Sequence, residues 1–120
     1  MGQLSGKSIA SGGNYNIFVG IEAGEATTTG DNNMAMGYQA LHANTTGAQN
    51  VAIGYHALLA NTTGIYNTAI GNATLDANTT GAGNVAIGAG CLSSNTTGIY
   101  NTGIGYGALA SNTTGSRNIA

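Results

Sequence analysis

The fold of this chain is encoded in residues 44–64, whose sequence is NTTGAQNVAIGYHALLANTTG. The stretch begins and ends with the tetrapeptide NTTG, and the two copies start 17 residues apart, at Asn44 and Asn61. Further copies start at Asn78, Asn95 and Asn112, and TTTG at 27–30 is a degenerate copy in the same register. A short, fixed period of this kind indicates stacked structural units, each of which contacts only its neighbours.

Aligning the chain on this period gives the consensus N-T-T-G-x-x-N-x-A-I-G-x-x-A-L-x-x. We divide the chain into a lead-in, 1–12, and a repeat array, 13–120, whose turns start near positions 13, 30, 47, 64, 81, 98 and 115. Four columns of the alignment are nearly invariant. They are an Asn column (Asn33, Asn50, Asn67, Asn84, Asn101, Asn118), a Gly column (Gly47, Gly64, Gly81, Gly98, Gly115), an Ile column (Ile53, Ile70, Ile87, Ile104) and a Leu column (Leu41, Leu58, Leu75, Leu92, Leu109).

The length and composition of one unit select the fold class. Seventeen residues are too few for two helices and two turns, and Gly, Asn and Thr are poor helix formers. We therefore predict an all-β fold, a parallel β-solenoid or β-roll with two short strands and two tight bends in each turn. Glycines at the bends are expected to adopt positive φ, and stacked Asn side chains, about 4.8 Å apart, are expected to form a hydrogen-bonded ladder.

The strand motif V-A-I predicts that the chain associates with itself. Neighbouring residues of a strand point to opposite faces, so the Ile53 and Ala52 columns point in opposite directions. If Ala57 and Leu58 line the interior, one of these two columns faces outward. A contiguous exposed apolar stripe marks an interface, and we predict that it is buried in a homo-oligomer.

The units from Gly47 to Gly64 and from Gly98 to Gly115 resemble the repeats upstream of the endosialidase-type chaperone domain in phage tail-fibre and related surface proteins. The core motif, at 50–54 and 84–88, is also similar to the head repeats of trimeric autotransporter adhesins. Those heads are trimers of left-handed parallel β-rolls with the apolar residue of the motif turned inward. The resemblance covers 13–120 and implies a homotrimer. The chain ends midway through a strand motif, which suggests a fragment of a longer fibre.

Charge and composition exclude several functions. The chain has only two Lys and Arg residues and four Asp and Glu residues, which argues against electrostatic binding to nucleic acid or to anionic membranes. No apolar run is long enough to insert in a membrane. No catalytic constellation recurs in the units, so we predict no enzyme activity, no catalytic residues and no cofactor.

No metal site is predicted either. His42 and His56 lie in different columns and lack partners at metal-ligand spacing, and Cys91 replaces Ala in a small-residue column. Glu22, Glu25 and Asp31 could bind a hard cation weakly, but a charged rim that discourages end-on association is the favoured interpretation.

The predicted function is a structural or adhesive fibre segment, a tail-fibre or adhesin shaft or head, that presents a receptor-binding region located elsewhere. The predicted location is extracellular, on a virion or a bacterial surface, and the predicted partners are other copies of the chain, side by side or stacked end to end. One alternative is an ice-binding solenoid that uses two Thr columns, Thr45 and Thr46 with their equivalents. The other is a carbohydrate-binding module that uses Tyr side chains as stacking platforms (Tyr38, Tyr55, Tyr66, Tyr100, Tyr106).

Overall fold

The computed structural model describes residues 13–120 and shows a parallel β-solenoid. Each turn contributes one three-residue strand to a six-stranded parallel sheet whose order follows the chain, and every strand pairs with the next at an offset of 17 residues. The strands are β1 (Ile17–Val19), β2 (Met34–Met36), β3 (Val51–Ile53), β4 (Thr68–Ile70), β5 (Val85–Ile87) and β6 (Thr102–Ile104). Residues 13–120 contain no helix, so the predicted all-β solenoid with a 17-residue repeat is confirmed. The predicted lead-in lies outside the described residues.

The prediction of two strands per turn is wrong, because the side opposite the sheet consists of consecutive tight turns. These turns still form hydrogen bonds along the axis. The N–H of Leu41 donates to the carbonyl of Ala57 (3.0 Å), and the N–H of Leu58 donates to the carbonyl of Thr74 (3.0 Å). The backbone of this side is therefore connected from turn to turn although it is not extended.

The core is a thin layer between the sheet and these turns. The middle residue of each strand points inward, and Ala35, Ala52, Ala69 and Ala86 are completely buried. They meet the Leu column, of which Leu41, Leu58, Leu75 and Leu92 are also completely buried. Small residues on the sheet leave room for larger residues on the opposite side. This pairing gives each turn the same interior volume.

Two turns depart from this pattern in compensating ways. In the first turn Phe18 occupies the Ala position of the strand and Gly24 occupies the Leu position, and a Cβ on Gly24 would lie 2.5 Å from the Phe18 ring. Towards the other end, Cys91 replaces Ala, and Gly103, in the following strand, leaves room for its sulfur. Large residues are thus paired with glycine, and the core volume is conserved.

The leucines of the Leu column adopt an unusual backbone conformation. Leu41, Leu58, Leu75, Leu92 and Leu109 all have φ between 51° and 55°, the left-handed region that non-glycine residues rarely occupy. That conformation costs about 1–2 kcal/mol per residue. Burying a Leu side chain contributes about 1.5–3 kcal/mol, so packing offsets the strain.

The Gly column is required for space and not for backbone conformation, which corrects the expectation of positive φ at Gly47, Gly64, Gly81, Gly98 and Gly115. None of these five has positive φ; in contrast, Gly37 and Gly54, from another column, have φ of 133°. A Cβ on Gly81 would lie 2.5 Å from the carbonyl oxygen of Gly98 and would collide with the side-chain oxygen of Asn78. Consecutive turns approach too closely here for any side chain.

This packing predicts different outcomes for two Gly→Ala substitutions. Gly81→Ala should destabilise the fold by about 3 kcal/mol or more, because backbone must move to admit the methyl group. Gly90→Ala should cost less than about 1 kcal/mol. Gly90 has φ of 65° but open space around it, and the same position of the preceding turn already holds Ala73 at φ 48°. Urea denaturation of both variants measures the difference, and equal costs would contradict the steric explanation.

Candidate interaction surfaces

The outer strand face is formed by the first and third residues of each strand, which point away from the core. One column of this face holds Ile17, Met34, Val51, Thr68, Val85 and Thr102, and the other holds Val19, Met36, Ile53, Ile70, Ile87 and Ile104. All are apolar except the two threonines. The Ile column therefore faces outward and the Ala column faces inward, which settles the alternative left open by the sequence.

The outer strand face is only partly covered in the single chain. Ile17 is 51% exposed, Met36 41% and Ile104 61%, whereas the middle residues of the same strands are buried. No charged residue occurs in the strands. The result is an uncharged, largely apolar surface that runs through every turn from β1 to β6.

The Asn column forms a buried ladder along the N-terminal ends of the strands. Asn50 donates its Nδ2 to Asn33 Oδ1 (3.2 Å) and to the carbonyl of Gly64 (2.9 Å), and its backbone N–H donates to the same Oδ1 (3.0 Å). Equivalent bonds connect each successive member to the next, up to Asn118. Asn suits this position because its amide is both a donor and an acceptor.

A second Asn ladder runs through the NTTG tetrapeptides. Asn61 donates its Nδ2 to Asn44 Oδ1 (2.9 Å) and to the carbonyl of Gly64 (3.1 Å). Asn44, Asn61, Asn78 and Asn95 are completely buried. Each of these residues begins an N-x-T sequence, the acceptor motif for N-glycosylation. A buried side chain cannot carry a glycan in the folded chain, so these sequences serve a structural role.

The two Thr columns have different environments. Thr45 Oγ1 donates to the carbonyl of Thr62 (3.1 Å), and Thr62, Thr79 and Thr96 repeat this bond to the next turn. Thr46 and its equivalents are exposed. The Thr46 column is therefore the more exposed of the two, and the Thr45 column is partly buried from Thr28 to Thr96.

The tyrosines form a short aromatic stack and not a continuous groove. The rings of Tyr38 and Tyr55 lie 5.6 Å apart and nearly parallel, and the ring of His56 stacks on Tyr55 at 3.8 Å. Asn72 and Ala89 interrupt this column before Tyr106. A second column holds Tyr66, Gly83, Tyr100 and Arg117. In it the Tyr100 ring covers Gly83, and the centre of this ring lies 5.8 Å from the guanidinium carbon of Arg117.

The fold brings Glu22, Glu25 and His42 together, so the expectation that His42 lacks partners at metal-ligand spacing is wrong. His42 Nε2 lies 3.1 Å from Glu25 Oε2 and 3.7 Å from Glu22 Oε2. Asp31 is not part of the group. Its carboxylate instead accepts a hydrogen bond from the N–H of Asn14 (2.7 Å). His42 lies 17 residues after Glu25, and this spacing, one full turn, was the signal for the contact.

His56 and Asp76 form a second pair of ionisable residues. They are 20 residues apart in the chain, the same separation as Glu22 and His42. Asp76 Oδ1 and His56 Nε2 are buried, and neither atom has a hydrogen-bond partner among residues 13–120. Burial raises the pKa of the Asp76 carboxyl above its ordinary value of 3.8, against the opposing effects of backbone hydrogen bonds and of His56. The folded chain therefore holds this proton more tightly than the unfolded chain.

The raised pKa of Asp76 predicts that this residue destabilises the fold at neutral pH. Between 3.8 and the higher folded-state pKa, the unfolded chain loses the proton while the folded chain keeps it. Stability due to Asp76 therefore falls as pH rises through that window and stays constant above it. Asp76→Asn should remove this fall, so that the stability difference between variant and parent grows from acidic to neutral pH. Urea denaturation of both proteins across the pH range measures this difference in stability. A difference that shrinks as pH rises would contradict the raised pKa of Asp76.

Comparison with known proteins identifies no relative of this chain. No protein-family model, curated protein or solved structure matches the chain. Residues 13–120 contain no helix of the length and apolarity needed to cross a membrane.

Proposed function

We propose that this chain is a structural segment of an extracellular fibre, a shaft or head of a phage tail fibre or a bacterial surface adhesin. In this proposal it assembles as a homotrimer, carries out no catalysis, and presents a receptor-binding region that lies elsewhere in the fibre. The observation that carries the proposal is the outer strand face, an apolar surface that extends through all six strands.

The outer strand face supports association with further copies of the same chain. Ile53, Ile70 and Ile87 form a continuous stripe in register with the parallel sheet. Large exposed apolar patches on soluble proteins mark interaction sites. A partner made of the same 17-residue turns would match this stripe along its full length. Three copies around an axis parallel to the solenoids would bury one outer strand face each and would close the assembly.

The sameness of the turns supports a passive role for the segment. A specific binding site requires locally distinct polar groups, whereas here each turn presents nearly the same side chains as the one before. The two Asn ladders are buried and satisfied from turn to turn. Continuous hydrogen bonding along the axis stiffens the array, which suits a spacer.

The oligomeric state of the 120-residue chain tests the proposal. Light scattering with chemical cross-linking should give a mass of three chains, and a screen against cells and glycans should give no saturable binding. A stable monomer at micromolar concentration would overturn the trimer. Saturable glycan binding or thermal hysteresis would instead favour the carbohydrate-binding or ice-binding alternative.

A further inference from the structure

We propose that Glu22, Glu25 and His42 bind a divalent transition-metal ion of the zinc type. One imidazole nitrogen and two carboxylate oxygens lie within 4.8 Å of one another at this site. All three residues belong to the turn segments that follow β1 and β2, and none belongs to the outer strand face.

The distances fit a small metal ion. Zinc binds His nitrogen and carboxylate oxygen at about 2.0–2.2 Å, which places neighbouring tetrahedral ligands about 3.3–3.6 Å apart. His42 Nε2 lies 3.1 Å from Glu25 Oε2 and 3.7 Å from Glu22 Oε2, on either side of that range. The two carboxylate oxygens lie within 4.8 Å of each other, so side-chain rotations would have to bring them together around one ion.

The donor set selects the class of metal. Imidazole nitrogen is a ligand for Zn²⁺ and its transition-metal neighbours, whereas Ca²⁺ requires six to eight oxygen ligands. Three protein ligands leave one tetrahedral position for water. The three side chains are a quarter to a third exposed, so solvent can reach that position.

The surrounding structure holds the ligands in place. The amide of Gln39 donates to Glu22 Oε2 (2.6 Å), the kind of outer contact that orients a ligating carboxylate. Glu22 and Glu25 belong to the first turn and His42 to the second, and the N–H of Ala26 donates to the carbonyl of His42 (3.0 Å) between them. A bound ion would therefore link two consecutive turns and stabilise this end of the array.

Titration calorimetry of the full chain with ZnCl₂ tests the site. We expect one Zn²⁺ per chain, a rise in melting temperature with added Zn²⁺, and binding that is far tighter than that of Mg²⁺ or Ca²⁺. His42→Ala and Glu25→Gln should each weaken Zn²⁺ binding at least about tenfold. Both residues are partly exposed, so the variants should fold, and circular dichroism verifies this.

His56→Ala is the matched control, because His56 lies outside the cluster. It should leave Zn²⁺ affinity unchanged. Three outcomes would overturn the proposal: no Zn²⁺ binding by the parent chain, equal affinity in the parent and His42→Ala, or an equal loss of affinity in His42→Ala and His56→Ala. A preference for Ca²⁺ that survives His42→Ala would also overturn it.

Discussion

Ile87→Asp should dissociate the proposed homotrimer into monomers while leaving each solenoid folded. Ile87 points outward at the end of β5 and is 37% exposed in the single chain, so the monomer can accept a carboxylate there. In the proposed trimer the same carboxylate would be buried without a partner in every copy. A buried, unpaired charge costs several kcal/mol, which corresponds to a loss of at least about a thousandfold in the association constant. Light scattering measures the mass, and circular dichroism measures the fold.

Two variants serve as controls for this result. Ala86→Asp changes the neighbouring residue, which points inward and is completely buried, so it should prevent folding and not merely assembly. Tyr66→Ser alters an exposed position whose equivalents include Gln49 and Gly83, and its effect should stay within about 0.5 kcal/mol. If Ile87→Asp kept the oligomer at an unchanged melting temperature, the outer strand face would not be the interface.

Asn67→Ala should destabilise the fold by about 3–6 kcal/mol, a large part of the stability of a small domain. The Asn67 side chain donates to Asn50 Oδ1 and to the carbonyl of Gly81 (2.8 Å). Its Oδ1 accepts hydrogen bonds from the backbone N–H and from the Nδ2 of Asn84. Alanine removes all four hydrogen bonds, each of which contributes about 0.5–1.5 kcal/mol. It also leaves the buried N–H of Asn84 without its acceptor. Urea denaturation measures the loss.

Asn72→Ala is the matched control for this substitution, because Asn72 is exposed. It should change stability by no more than about 0.5 kcal/mol. Asn67→Asp provides a further comparison. A carboxylate cannot donate to the carbonyl of Gly81, so this variant should be at least as unstable as Asn67→Ala. Similar stabilities for Asn67→Ala and Asn72→Ala would show that the ladder contributes little.

The period of the sequence was sufficient to predict the architecture. Because identical residues recur every 17 positions, the parallel register of Ala52 with Ala69, and of Ile53 with Ile70, follows directly from the alignment of the repeats. The buried Leu column and the Asn33 to Asn118 column were also visible as periodic features. These properties depend on what the turns have in common.

Backbone detail within one turn could not be predicted in the same way. Leu58 adopts positive φ because core packing and hydrogen bonds to the next turn outweigh its local preference, and no local rule identifies such a residue. Gly64 was expected to supply positive φ, but its role is to admit the backbone of the next turn. Both differences arise from contacts between turns, which sequence propensities do not describe.

The sequence indicates Glu22 and Glu25 as possible weak cation ligands, but it does not by itself connect them with His42. Glu25 and His42 are 17 residues apart, which is too far for a conventional metal-binding motif, but they occupy the same column of neighbouring turns. The repeat pattern reveals residues that the turns have in common, and this column has no common residue type. In a solenoid, chemistry also arises where one column changes residue from one turn to the next.

The Asn ladders connect each turn only to the next one, and this determines how such a chain can change its length. The side-chain amides of Asn61 and Asn78, for example, bond within their own turn and to the turn before. Removing or inserting a whole 17-residue unit would recreate the same Asn–Asn and Asn–Gly hydrogen bonds at the new junction. The length of the solenoid is then set by the number of units, so gain or loss of whole units would change it in uniform steps of one turn while the ladder bonds stay the same.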